Sequence, residues 1–156
     1  MDMPVATPGH TAVRLGRTSL PQQAYHITVV TRRRQRYFEP FAAACTAARS
    51  FTDARSLGDA TLLAWVLMPD HAHWLLQLGD RDSLQVVVGR MKARSARAVN
   101  RLRGEKRPVW SSAWHDHAVR NDESLRDVAR YIVANPLRAG LVKSVCDYPF
   151  WDAAWL

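Results

Sequence analysis

The chain has 156 residues, 47% of them hydrophobic and 23% charged, which is enough for one domain with its own core and excludes a small scaffold dependent on staples. No apolar run reaches the length of a membrane-spanning helix. Lys and Arg number 22 against 14 Asp and Glu, and the resulting net charge of +8 points to a polyanionic partner, nucleic acid first.

Residues 1–21 hold Pro4, Pro8, Gly9, Gly16 and Pro21 among scattered polar side chains and read as an N-terminal arm. They contain no apolar core, so no secretory leader is expected. Residues 22–156 read as the folded domain. Cys45 and Cys146 sit among apolar neighbours and are expected to be reduced, packed thiols of a cytoplasmic protein.

Within that domain, the β-branched run 24–31 predicts a first strand. Arg32, Arg33, Arg34 and Arg36 come directly after it. The Ala-rich stretch 40–56 predicts a helix, and the apolar run 61–67 a second strand. Met68-Pro69-Asp70 bends the chain, since proline lacks the donor a central strand needs. Residues 72–78 predict a third strand, antiparallel to the second, closed by Gly79-Asp80-Arg81-Asp82.

The clearest helix covers 83–103. Leu84, Val87, Val88, Met91, Ser95, Ala98, Val99 and Leu102 share one face at the 3.6 period, with Arg90, Arg94, Arg97 and Arg101 in a stripe beside it. Gly104 is a suitable terminator. Residues 108–114 read as an aromatic loop, and 115–120 as a short strand. Asn121-Asp122 would start a last helix that buries Leu125, Val128, Ala129 and Ile132. Pro136 should end or kink it, and Gly140 should stop any helical turn beyond the proline. The aromatic tail 148–156 is expected to fold back. The order strand-helix-strand-strand-helix-strand is the ferredoxin-like α+β pattern: an antiparallel sheet with helices on one face, plus a C-terminal helix bearing Tyr131.

Two pairs of side chains carry chemistry. His71 and His73 are two apart in extended chain, where alternate residues share a face, and side by side they make half of a divalent-metal site. Tyr131 and Asn135 are four apart on a helix, with Cβ atoms about 5–6 Å from each other. If that helix faces that strand, His71, His73 and Asn135 would hold one cation with Tyr131 beside it. A mixed nitrogen and oxygen set with open positions suits Mg²⁺ or Mn²⁺ acting on phosphate, and Zn²⁺ is chemically open. A phenol with a pKa of about 10 is mostly protonated at neutral pH and needs a metal, base or water to act. Its product would be a phosphotyrosine linkage.

These residues resemble a known family. His71-Ala72-His73 is similar to the His-hydrophobe-His motif of single-tyrosine DNA transposases. The run from Tyr131 through Asn135-Pro136-Leu137-Arg138-Ala139-Gly140 to Val142 resembles the tyrosine helix of REP-associated tyrosine transposases. Tyr25-His26-Ile27-Thr28, Leu67-Met68-Pro69-Asp70 and His117-Ala118-Val119-Arg120 also fit, in the right order. The resemblance implies a metal-dependent single-stranded DNA endonuclease and strand transferase. It would recognise palindromic hairpins beside a short guide sequence. Tyr131 would attack the scissile phosphate and stay on the 5′ side, and His71, His73 and Asn135 map onto the metal ligands. Asp70 stands where Asn is usual, and Ala72 where a bulkier residue is common; Asp70 could tune the metal site or cap the turn, and it is read here as a turn residue.

Other side chains have plainer readings. His26, His115 and His117 are expected to be structural, and Asp127 to lie on a solvated helix face. Asn135 can both ligate and end its helix. The arginine stripe repels itself unless a polyanion neutralises it, so Arg90, Arg94, Arg97 and Arg101 are read as phosphate contacts, together with Arg32, Arg33, Arg34 and Arg36. Trp110 and Trp114 could stack on unpaired bases or pack in the core. Two other function classes stay open: a hairpin DNA- or RNA-binding module that does not cut, and a replication-initiator-type nickase. A monomer and a homodimer are both compatible with the sequence.

Overall fold

The computed structural model describes residues 19–120 and 123–155. Strands β1 (Ala24–Thr31), β2 (Thr61–Leu67), β3 (His71–Gln77), β4 (Trp110–Ala118) and β5 (Trp151–Ala153) form one antiparallel sheet in the order β4-β1-β3-β2-β5. Among the described residues there are five α-helices: α1 (Phe41–Thr52), α2 (Ala54–Leu57), α3 (Leu84–Arg103), α4 (Leu125–Val133) and α5 (Asn135–Arg138). The first four strands with α1 and α3 make the expected ferredoxin-like arrangement.

Alternation in β1 and β3 divides the protein into two layers. Tyr25, Ile27 and Val29 with Ala72, Trp74 and Leu76 join the main core, shared with Phe51 of α1 and Leu84, Val87, Val88 and Met91 of α3. Ala24 and Leu75 face the opposite way, with Ala64 and Val66 of β2, and α4 covers them with Ala129, Ile132 and Val133. The tyrosine-bearing helix therefore lies across the sheet from α1 and α3.

Helix ends are set by their caps. The Ser83 hydroxyl accepts from the Val86 amide, and α3 ends at Gly104, whose φ of 66° is left-handed. Ser124 accepts from the Asp127 amide to open α4. The expected start at Asn121-Asp122 lies outside the described residues, and the helix itself begins at Leu125 because Ser124 supplies the cap. At the far end, α4 stops at Val133, and the chain turns directly into α5, with Pro136 near its start.

Several expectations are corrected. Asp53 breaks the 40–56 helix in two, because its carboxylate accepts from the Arg55 amide and starts α2. Residues 110–114 are strand rather than loop: Trp110 pairs with Thr31 and Trp114 with Val29. Trp110 is core, stacked near Phe38 and Trp74, with its indole N–H donating to the Ser95 hydroxyl at 2.9 Å. Leu102 is exposed despite its place in the apolar stripe. Cys146 is exposed rather than packed, and Cys45 is half-buried. The aromatic tail does fold back, adding β5 to the edge of β2. Most of the expected arm, residues 1–18, lies outside the described residues. Ser19 already belongs to the body, its hydroxyl accepting from the Leu84 amide at 3.1 Å.

Candidate functional site

The pairing of β1 with β3 and β4 assembles a histidine face. Thr28 lies between His73 and His115, His26 lies opposite His117, and Val30 opposite His71. All five described histidines, His26, His71, His73, His115 and His117, thus fall on the sheet face that α4 covers. Placed there, they sit outside the main hydrophobic core, and His26 in particular touches His73.

At the centre, His73 is held by its Nδ1 atom. That nitrogen lies 3.0 Å from His26 Nε2 and 3.1 Å from Thr28 Oγ1. If Nδ1–H donates to these two acceptors, Nε2 keeps its lone pair free. His71 is fixed at the same atom by a different partner, its Nδ1 donating to Asp70 Oδ1 at 2.7 Å. A carboxylate can only accept, so Nε2 of His71 is the unprotonated nitrogen when the ring is neutral. The two rings stand edge to face with centroids 5.1 Å apart.

Burial pushes the His73 pKa down to about 3, and the repulsion a charged ring would meet beside His26, His71 and Arg138 adds to the effect. Burial likewise takes His26 to about 4, with His117 and His115 adding to the effect. Both rings are neutral at neutral pH, the form that binds a metal.

Tyr131 is 57% exposed on α4, with its ring edge-on to His26 at a centroid distance of 6.3 Å. The guanidinium of Arg138, from α5, lies 3.9 Å from the Tyr131 ring centroid. A concavity of about 480 Å³ opens beside the phenol, bordered by His26, His117, Glu123 and Asp127. Within it His117 Nε2 pairs with Glu123 at 3.0 Å, while Asp127 is tied to Arg130. Asn135 is half-buried and opens α5, one turn beyond Tyr131.

The donor set suits a cation only with Asn135 or non-protein oxygens included. Among the described residues no group of three or more His, Cys, Asp or Glu side chains could hold a metal ion. Two imidazoles with their Nδ1 atoms already engaged fit as half of a mixed nitrogen and oxygen site.

The arginines are not all gathered here. Arg34 alone of the four after β1 reaches the histidine face, through an ion pair with Asp70 at 3.3 Å. Arg36 pairs with Glu39, while Arg32 and Arg33 border a separate concavity of about 290 Å³ with Arg107. The stripe on α3 belongs to the other layer. Arg90 binds Asp82 at 2.7 Å and the Ser56 carbonyl, and Arg94 binds the Ser56 hydroxyl, so these two are bound within the fold. Arg97 and Arg101 border a basic groove with Arg49 and Arg55. Arg138, Thr28 and the ion pair of Arg34 with Asp70 are not visible as site features in the sequence; only the alternation of His26 and Thr28 along β1 hints at a shared face.

Comparison with known proteins agrees with this picture. Residues 19–135, which include Tyr131 and Asn135, match the model of the family described as transposase IS200 like. The REP-associated tyrosine transposase of Escherichia coli (strain K12) is 34% identical over 89 residues, covering 56% of this chain and 50% of that protein. A candidate of the same kind from Haemophilus influenzae is 30% identical over 98 residues, covering 56% of each chain. The chain therefore spans about half the length of the curated relatives it matches. The structure of a REP-associated tyrosine transposase bound to a REP hairpin superposes with a TM-score of 0.67 at 25% identity, covering 86% of this chain and 79% of that one.

Proposed function

From the premise that this chain belongs to the IS200-like transposase family, we propose that it cuts and rejoins single-stranded DNA beside palindromic repeat hairpins, with Tyr131 as nucleophile. The observation that carries this reading is that two Nδ1-anchored imidazoles, His71 and His73, share a sheet face with His26, whose ring the exposed Tyr131 phenol approaches edge-on. The hairpin bound by the structural relative supports the choice of substrate.

In this reading the Tyr131 oxygen attacks the scissile phosphorus, and the bond to the 3′ oxygen breaks. The 5′ side stays on the protein as a phosphotyrosine, and the departing oxygen takes up a proton to become a free 3′-OH. Rejoining is the reverse: a 3′-OH attacks, and the phenol is released. Arg138, whose guanidinium lies over the Tyr131 ring, can reach toward the phosphate. His71, His73 and Asn135 would hold Mg²⁺ or Mn²⁺, which when bound draws charge from a phosphate oxygen. His26 and Thr28 keep His73 oriented, and with its Nδ1–H donating to them its Nε2 is available. Arg97 and Arg101, with Arg32 and Arg33, supply positive surface for the DNA backbone.

The test is a labelled single-stranded oligonucleotide carrying a hairpin, incubated with Mg²⁺ or Mn²⁺ and run on a denaturing gel. A protein–DNA adduct and a shortened free strand are expected, both absent with chelator. Binding of the hairpin with neither product would replace this reading with that of a non-cutting binding module.

A further inference from the structure

The residue before the histidine pair is bound on both of its carboxylate oxygens. Oδ1 of Asp70 accepts from His71 Nδ1 at 2.7 Å, and Oδ2 pairs with Arg34 Nε at 3.3 Å. The backbone on each side is pinned as well. The Asp70 carbonyl accepts from the Thr31 amide at 2.9 Å and the Thr31 hydroxyl at 3.1 Å, and the Pro69 carbonyl accepts from the Phe38 amide at 3.0 Å. A turn residue needs none of this side-chain bonding, because Met68 N–H to the His71 carbonyl, at 2.8 Å, already closes the turn.

The chain that delivers Arg34 is strained. Arg33 and Arg34 both adopt left-handed backbone, with φ of 57° and 55°, in the 3-10 turn after β1. Neither is a glycine, and consecutive left-handed residues with long side chains are uncommon. Such strain persists where surrounding structure over-determines it, and here it places a guanidinium on the far oxygen of Asp70.

Resting on the reading of His71 as a metal ligand, we infer that Asp70, tethered by Arg34, is a positioning residue that holds His71 with Nε2 toward the cation. The carboxylate selects the Nδ1–H tautomer, limits rotation of the ring, and makes Nε2 a stronger donor. Arg34 keeps the carboxylate in place. Asparagine at this position would keep an acceptor for Nδ1–H but lose the charge and the ion pair.

The experiment uses the full chain and Mn²⁺ alone, with binding followed by the loss of the free-ion EPR signal. The His71 tautomer is read separately by ¹⁵N NMR without metal. Asp70→Ala should weaken Mn²⁺ binding by about tenfold or more and shift His71 away from the Nδ1–H tautomer. Asp70→Asn and Arg34→Ala should lose less, and should serve if the alanine variant does not fold. Wild-type Mn²⁺ affinity with an unmoved tautomer in Asp70→Asn, Asp70→Ala and Arg34→Ala would overturn the inference and return Asp70 to the turn. Mn²⁺ binding that survives His71→Ala would instead overturn the ligand reading, and the inference with it. The tautomer measurement shows which of the two failed.

Discussion

His26 Nε2 lies 3.0 Å from His73 Nδ1, so a side chain of β1 governs which nitrogen of the β3 histidine is available. Thr28 Oγ1, at 3.1 Å, shares that role. Removing the partner that orients a metal-binding histidine typically costs about 10–100-fold in affinity or activity. His26→Ala is therefore expected to slow cleavage within that range, and His26→Ala with Thr28→Val to slow it further. Cleavage rates at saturating and limiting Mn²⁺ check this: the loss should shrink as metal is raised. A loss independent of metal concentration would place His26 on the DNA instead.

Tyr131→Phe removes one exposed hydroxyl and leaves the ring that Arg138 covers. Stability should stay within about 0.5 kcal/mol, as for other surface changes. The covalent adduct should vanish while hairpin affinity holds. A gel-shift titration beside a denaturing gel separates the two readouts, and cleavage persisting in the variant would remove Tyr131 as nucleophile.

Much of this arrangement is legible in the sequence, and the failures have physical causes. The bounds of β1 and β2 come directly from their β-branched and apolar runs, and α3 from its period and its Ser83 and Gly104 caps. The first half of β4 is hidden because Ser111, Ser112 and Ala113 show no clean alternation between the tryptophans. Three-residue β5 is too short to display a period at all. The pairing of His26 with His73 spans 47 positions and exists only once β1 and β3 are in register. Asp70 looks like a turn residue because its second partner, Arg34, reaches it through backbone that an arginine seldom adopts.

The four arginines of α3 should divide into two classes. Arg90 holds the Asp82 carboxylate and the Ser56 carbonyl, and its removal leaves partly buried acceptors unpaired. Arg90→Ala should therefore cost about 1–2 kcal/mol of stability, read by urea unfolding. Arg97 and Arg101 are exposed at the basic groove. Arg97→Ala with Arg101→Ala should leave stability nearly unchanged and lower the slope of log affinity against log salt by about 2. An unaltered slope would show that the groove between α1 and α3 does not meet the DNA backbone.

Tyr148 ties the C-terminal segment to the strand end that precedes the histidine turn. Its hydroxyl donates to the Leu67 carbonyl at 2.5 Å, and burial pushes its pKa up to about 12. In the unfolded chain the phenol loses its proton near pH 10. Between those values the unfolded state holds fewer protons than the native one, so this group's contribution is complete below about pH 10 and disappears as pH rises toward 12. Tyr148→Phe lacks both the hydrogen bond and the titration. It should be less stable than the wild type by about 1 kcal/mol at neutral pH. That gap should close as pH climbs through the window, because only the wild type has a proton to lose there. Urea unfolding of both proteins at neutral pH and at two alkaline points measures the gap directly. Parallel curves across the whole range would mean that the hydroxyl is not buried against Leu67 in solution.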